Sequence, residues 1–362
     1  MTKDETIGVG IIGTGFARTT QLPAFKAVGA RVVAIASGRR ANAERVARAF
    51  DIPFAADDWR AVVAHPDVAL VSIVTPPATH REITLAALDA GKAVLCEKPM
   101  ALAAAETEEM RRRADAAHAL ALVDHELRML AGRRRLRELL RAGEIGRVRH
   151  VRYTFRTDAR ASAARAWNWW SDERMGGGTL GAIGSHAVDS CRWLLGAEVA
   201  AVAAQLTTHV RERADEAGTP RAVTTDDEAS LLLRFTGGPL TAGTTGSVAL
   251  SMIAAGAPEH TCELFGERGA LKITEPEELY RASVGDGAWR RVEVEPTPLA
   301  PGLRDGSWAR GFTVLARELI AALRAGHNTV AEAATFADGH RVQLVLDAAR
   351  RAHESGRRIE LE

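Results

Sequence analysis

Through the first third of the 362-residue chain, short unbroken apolar runs alternate with stretches whose apolar residues recur every three or four positions. The runs at 7–12, 31–36, 69–74, 93–96 and 119–123 are rich in β-branched residues and too short for helices, so they predict buried strands. The stretches at 23–28, 42–50, 57–64, 79–90 and 102–117 carry the helical period. Strands and helices taking turns in this way predict βαβ units and an α/β fold. Right-handed crossovers then place helices on both faces of a doubly wound parallel sheet.

The rhythm changes after residue 125. A helical stretch at 133–142 leads to a strand at 148–156, a loop rich in Trp and Gly, and a helix at 179–195. Strand-like runs then follow one another at 199–208, 229–235, 240–250, 261–265, 270–274 and 290–294, before two closing helices at 308–324 and 338–355. Strands in succession predict an α+β domain with a mostly antiparallel sheet. The expected division is a nucleotide-binding domain at 1–125 and a second domain at 126–362, its last helix free to pack back on the first. The polar segments 211–225 and 295–307 read as mobile loops.

Composition narrows the picture. Forty-seven basic residues against 46 acidic ones leave a net charge of +1, which gives no electrostatic reason to expect nucleic acid or a membrane surface as partner. The densest basic run, Arg133, Arg134 and Arg135, lies in a helical pattern and reads as a solvated face. Cys96, Cys191 and Cys262 form no CxxC pair, which fits a reducing compartment and predicts neither disulfide nor structural metal. With no apolar leader at the first residues and no apolar run of membrane-spanning length, the expected location is the cytoplasm. Only five residues are lysines (Lys3, Lys26, Lys92, Lys98 and Lys272), so a lysine in this chain draws notice.

The first strand runs into Gly13-Thr14-Gly15-Phe16-Ala17-Arg18 and then a helix. In such a turn one glycine permits the bend and the next lets a pyrophosphate approach the helix N-terminus, as in a Rossmann dinucleotide site. Gly13, Gly15, Phe16 and Ala17 are therefore candidate cofactor contacts, although Arg18 stands where a third glycine is usual. The second strand ends in Ser37-Gly38-Arg39-Arg40, with no carboxylate for a ribose 2′-hydroxyl. Ser37, Arg39 and Arg40 suit a 2′-phosphate, and so NADP before NAD. The alternative is a helix-capping serine followed by two solvated arginines.

Further motifs sit at later strand ends: Thr75-Pro76-Pro77-Ala78-Thr79-His80, then Glu97-Lys98-Pro99, then the glycine-rich segment from Gly176 through His186 to Asp189. With His125-Glu126-Leu127-Arg128, Phe265-Gly266-Glu267-Arg268-Gly269 and Asp338-Gly339-His340, they resemble the glucose–fructose oxidoreductase, inositol dehydrogenase and rhizopine-catabolism family (Gfo/Idh/MocA), nearly end to end. The resemblance implies a Rossmann domain and a second domain whose open sheet joins subunits into a homodimer or homotetramer. It also implies Lys98 beside nicotinamide and substrate, His186 as acid/base, Asp189 on the substrate, and Thr75, Pro76, Pro77, His80 and Glu97 near the cofactor. Chemistry concurs: oxidising a carbinol requires a group that can take up a proton, which Lys and His can do and Arg cannot.

Two positions depart from that family's pattern. Ala182 stands one helical turn before His186, where a carboxylate is usual, and Glu126 stands where many relatives have asparagine. Glu126 reads as a ligand for a substrate hydroxyl or as the partner of Arg128, itself a candidate substrate contact. Trp169, in Trp167-Asn168-Trp169-Trp170, reads equally as a face for a sugar ring or as packing. The leading expectation is an NAD(P)-dependent oxidoreductase of a sugar, polyol or related cyclic alcohol, with Lys98 and His186 handling the proton. Redox-neutral elimination, hydrolysis or epimerisation of a glycoside on a retained cofactor is one alternative. A non-catalytic nucleotide-binding protein is the other. No Tyr-x-x-x-Lys pair, zinc-ligand spacing or GxxxxGK[ST] loop is present.

Overall fold

A computed structural model describes residues 6–361; Lys3 and the rest of 1–5 lie outside the described residues. The strands β1 (Gly8–Ile12), β2 (Arg31–Ala36), β3 (Phe54–Ala56), β4 (Leu70–Ile73), β5 (Ala93–Cys96) and β6 (Ala121–Val123) form a parallel sheet in the order 3-2-1-4-5-6. Between them run α1 (Leu22–Ala27), α2 (Arg40–Phe50), α3 (Trp59–Val63), α4 (His80–Asp89) and α5 (Ala104–Ala117). Separate apolar clusters form on the sheet's two faces, one around Ile11, Phe25 and Leu319, the other around Ile12, Val71 and Ile83. The strands are almost wholly apolar because their central residues meet water on neither face. The order reverses between β1 and β4, the point outside which open α/β sheets bind ligands.

The second sheet has nine strands, built on β7 (Val148–Arg156). The others are β8 (Val199–Thr207), β11 (Glu228–Phe235), β12 (Thr241–Ser251), β13 (Glu259–Gly266), β14 (Gly269–Thr274), β15 (Glu278–Ser283), β16 (Arg290–Val292) and β17 (Ile359–Glu360), in the order 16-15-14-13-7-12-11-8-17. All its pairs are antiparallel except the one between β7 and β12. One face is covered by α6 (Ala131–Arg141) and α7 (Ser185–Leu195). Along β11 (Glu228–Phe235) burial alternates strictly, so Ala229, Leu231 and Leu233 point inward while Leu232 is 66% exposed. A polar knot ties helices to sheet: Arg133 donates to the Ser190 hydroxyl at 3.1 Å, and the Tyr153 hydroxyl lies 2.6 Å from His260 Nε2. Arg133 is thus buried, and of the basic run only Arg135 is exposed, contrary to the solvated face expected from sequence. The segment 211–225 is likewise not simply a loop. It holds the hairpin strands β9 (Glu212–Ala214) and β10 (Pro220–Ala222), and the buried Arg213 guanidinium donates to the carbonyls of Ser162 and Arg160, each at 2.6 Å.

The chain divides into units made of 1–130 with 297–340, and of 131–296 with 341–362. This differs from a single cut at 125, because α8 (Ser307–Arg324) supplies Phe312, Leu315 and Leu319 to the core of the first unit. Its apolar period matched a face of that unit rather than the sheet preceding it in sequence. The closing motif follows suit. The Asp338 carboxylate pairs with Arg128 at 3.1 Å, and His340 Nδ1 lies 2.9 Å from the Thr107 hydroxyl. A side chain at Gly339 would put its Cβ 2.6 Å from Met100 Sδ. Replacing Leu319 with Ala is expected to cost the first unit about 2–5 kcal/mol, as buried Leu truncations do. Urea unfolding of L319A followed by circular dichroism checks this; a loss near zero would contradict the two-segment unit.

Candidate functional site

In the first unit the predicted cofactor residues gather at the C-terminal edge of the parallel sheet. Gly13 leaves β1 with φ +109°, a backbone state L-residues rarely adopt, and a Cβ there would fall 2.4 Å from the Val74 carbonyl oxygen. A Cβ at Gly15 would meet nothing within 4 Å, so the turn is open to a phosphate, and a dinucleotide fits. Phe16 precedes a π-helical turn (Ala17–Gln21) in which Ala17 is fully buried and Arg18 exposed. Beyond the turn, a cavity of about 230 Å³ is lined by Ser37, Gly38, Asp57, Trp59, Thr75 and Pro76. Ser37 and Gly38 are therefore where the sequence pattern puts them. Arg39 and Arg40 are exposed, and Arg40 reaches Glu44 at 2.9 Å and Asp57 at 3.8 Å. Asp57 and Trp59 were missed from the sequence; their signal was a carboxylate and an aromatic ring opening the third crossover helix.

His80 lies deeper than expected. It is 0% exposed, with Nε2 2.8 Å from the Thr75 carbonyl oxygen and Nδ1 3.1 Å from that of Pro99. Burial pushes its pKa down to about 4, so the ring is neutral at physiological pH and its single N–H donates to one of the two carbonyls. The ring staples the Thr75–Pro76–Pro77 loop to the Glu97–Lys98–Pro99 loop, which makes it a positioning residue. Thr79 adds a 2.6 Å hydroxyl bond to Thr75.

Glu97 and Lys98 end β5. Glu97 Oε1 accepts from Gln21 Nε2 at 3.1 Å, and its Oε2 accepts from the Lys98 backbone N–H at 3.3 Å. The same Gln21 nitrogen lies 3.4 Å from Asp124 Oδ2, while Ser72 donates to Gln21 Oε1 at 2.7 Å. Burial raises the pKa of Glu97, and raises that of Asp124 well above the carboxylate range, where the charges of Glu126 and Glu97 add to it. Asp124, Gln21 and Ser72 were not read from the sequence, although a polar residue inside or at the end of an apolar strand run is the available signal. Glu126 and Arg128 lie in a buried 3₁₀ turn (Glu126–Met129), where Arg128 faces Asp338.

In the second unit, His186 and Asp189 lie on α7, whose residues are all buried, and a π-helical turn (Leu180–Gly184) carrying Ala182 precedes it. Asp226 accepts the Leu180 N–H at 2.7 Å, close above Gly178; burial pushes its pKa up to about 6. Of the aromatic loop, Trp169 is 38% exposed, Trp170 packs under Arg160, and the Trp167 indole N–H donates to the Ala222 carbonyl. Among the described residues no cluster of His, Cys, Asp or Glu is arranged to hold a metal, and no helix is long and apolar enough to cross a membrane.

A doubly wound sheet whose first strand ends in an open glycine turn defines a dinucleotide-binding protein. The chain belongs to the Gfo/Idh/MocA oxidoreductase family. Residues 7–125 match its NAD-binding Rossmann model and residues 133–272 match a C-terminal domain model of the same family. It is 32% identical to an uncharacterised oxidoreductase of Synechocystis over 75% of this chain and 73% of that protein. It is 30% identical to levoglucosan dehydrogenase of Pseudarthrobacter phenanthrenivorans over 95% of both chains. Among solved structures, an oxidoreductase domain protein from Kribbella flavida superposes with TM-score 0.88 at 29% identity, covering 99% of this chain and 100% of that one. A levoglucosan dehydrogenase in complex with NADH and L-sorbose superposes with TM-score 0.87 at 28% identity and the same coverage. The protein is an NAD-binding oxidoreductase of the dehydrogenase kind.

The neutral state of His80 has a measurable consequence. Between pH 6.5 and about 4 the unfolded imidazole takes a proton that the folded one does not, so stability falls as pH falls through that window. At pH 5 the loss relative to pH 8 is about 2 kcal/mol from this residue. Urea unfolding of wild type and His80→Gln at both pH values is expected to show a shallower pH dependence in the variant by that amount. Equal slopes would mean that His80 takes up its proton over the same pH range folded as unfolded.

Proposed function

We propose that the protein interconverts a sugar, polyol or related cyclic alcohol and its carbonyl form, with NAD(H) as cofactor. The observation that carries this reading is Lys98. In a chain that otherwise uses arginine, a lysine stands at a strand end beside buried carboxyl groups, on the sheet edge that bears the Gly13 turn. When bound, the nicotinamide supplies the acceptor or donor of hydride. The chain's own task is the proton: Lys98 and His186 are the groups able to take it from a carbinol and return it. Gly13, Gly15, Phe16 and Ala17 would receive the pyrophosphate, and Ser37, Thr75 and Pro76 the adenosine side. Asp189 and Trp169 remain the proposed substrate contacts of the second unit. Glu126 and Arg128 are those of the first, with Arg128 oriented by Asp338. The named substrate of levoglucosan dehydrogenase, an anhydrosugar, supports the substrate class.

NAD(H) is favoured over NADP(H), the reverse of what Arg39 and Arg40 suggest by themselves. Arg40 is engaged by Glu44 and Asp57, and the Asp57 carboxylate lines the cavity where a 2′-phosphate would bring more negative charge. The uncovered face of the nine-stranded sheet, where Leu232 stands clear, supports a homodimer or homotetramer, which sedimentation velocity would detect.

Trp59 offers an energy donor at the cavity itself, so titration of NADH and NADPH with tryptophan excitation tests the cofactor. Tighter binding of NADH is expected, with little change in Arg39→Ala/Arg40→Ala. NADPH binding that is tighter and lost in the double variant would reverse the preference, and binding of neither would defeat the reading. In a screen of anhydrosugars and polyols, Lys98→Ala and His186→Ala are each expected to lower kcat about 10²–10⁴-fold, more than they alter KM.

A further inference from the structure

We propose that Glu97 and Asp124 share one proton, so that together they present a single negative charge behind Lys98. The geometry points to a proton. Both acids are buried and converge on one donor, the Gln21 amide nitrogen, 3.1 Å from Glu97 Oε1 and 3.4 Å from Asp124 Oδ2. Two ionised carboxylates so placed have no hydrogen between them and too few donors around them. The remaining contacts assign its seat. Glu97 is supplied with donors at both oxygens, Gln21 Nε2 on one and the Lys98 backbone N–H on the other, as a carboxylate demands. Asp124 Oδ1 is buried and accepts no hydrogen bond, which suits the carbonyl oxygen of a neutral acid far better than an ionised one. Ser72, by donating to Gln21 Oε1, turns the amide so that its N–H₂ faces both acids. The proton therefore rests on Asp124 and is donated to Glu97.

The charges facing the pair agree. Burial and the neighbouring acids Glu97 and Glu126 hold the Asp124 proton on, and the Lys98 ammonium works against them. Burial raises Glu97 as well, and the Lys98 charge, the Asp124 hydrogen bond, the Lys98 N–H and Gln21 all pull it back down. The buried Cys96 thiol between them is pushed well up by burial and by Glu97, so it stays neutral. The shared proton fixes at one the negative charge that the pair presents to Lys98. Asp124 is thus a positioning residue acting through Glu97. Its bearing on catalysis rests on the reading of Lys98 above, but the shared proton does not.

Infrared spectroscopy of the intact protein at pH 8 tests the proton without any substrate. Wild type is expected to show a carboxylic-acid C=O band that disappears in Asp124→Asn. In Glu97→Gln it should persist, because burial and Glu126 still hold the Asp124 proton, but move in frequency, because the Asp124 hydroxyl has lost its carboxylate acceptor. A band unchanged in Asp124→Asn, or unmoved in Glu97→Gln, overturns the proposal. Failure of the dehydrogenase reading would appear in the substrate screen and leave these spectra untouched.

Discussion

Burial of the parallel sheet on both faces is the constraint from which the first unit follows. With helices above and below, β1, β2, β4 and β5 accept almost nothing but apolar residues, and polar chemistry is driven to the edge where the strands stop. Gly13, Ser37, Thr75, Glu97 and Asp124 occupy five such strand ends in turn. The one buried hydroxyl within these strands, Ser72, is satisfied by an amide reaching down from that same edge. A site assembled this way inherits the rigidity of the sheet, and its loops are fastened by buried side chains such as His80.

Strands with a single uninterrupted character were legible at once. The segments 31–36 and 93–96 are strands over the residues expected, and the glycine turn identified the binding edge from local sequence alone. The short β3, three residues with two half-buried positions, has neither the length nor the alternation to be seen. The hairpin in 211–225 was hidden for a different reason. Its order comes from one buried guanidinium holding backbone carbonyls about fifty positions away, which no local period records. The helix at 307–324 was found, yet the face it covers was not, because an amphipathic stripe specifies burial without naming the partner.

The site divides along the same line. Lys98 was visible because residue choice is a one-dimensional signal, and Gly13 because a positive φ demands glycine. Arg39 and Arg40 were read from a local motif alone, without Asp57, which meets Arg40 only after the chain has completed another strand. The carboxyl pair was invisible because Gln21 is 76 positions from Glu97 and 103 from Asp124. Each looks like an ordinary polar residue until the sheet order brings β1, β5 and β6 ends to one edge.

That order also bears on the carboxylate missing before His186. Ala182 occupies that position, and Asp226, an acid fixed to the same turn, accepts the Leu180 N–H. The first unit shows the opposite tendency: Glu97, Asp124 and Glu126 are all buried within a few residues of Lys98 or of its neighbouring strand end. Burying three acids is costly unless protons or cations accompany them. A cluster of this kind is retained only where a shared proton or a cation offsets its charge, and the proton between Glu97 and Asp124 is the part of that balance which the sheet order itself creates.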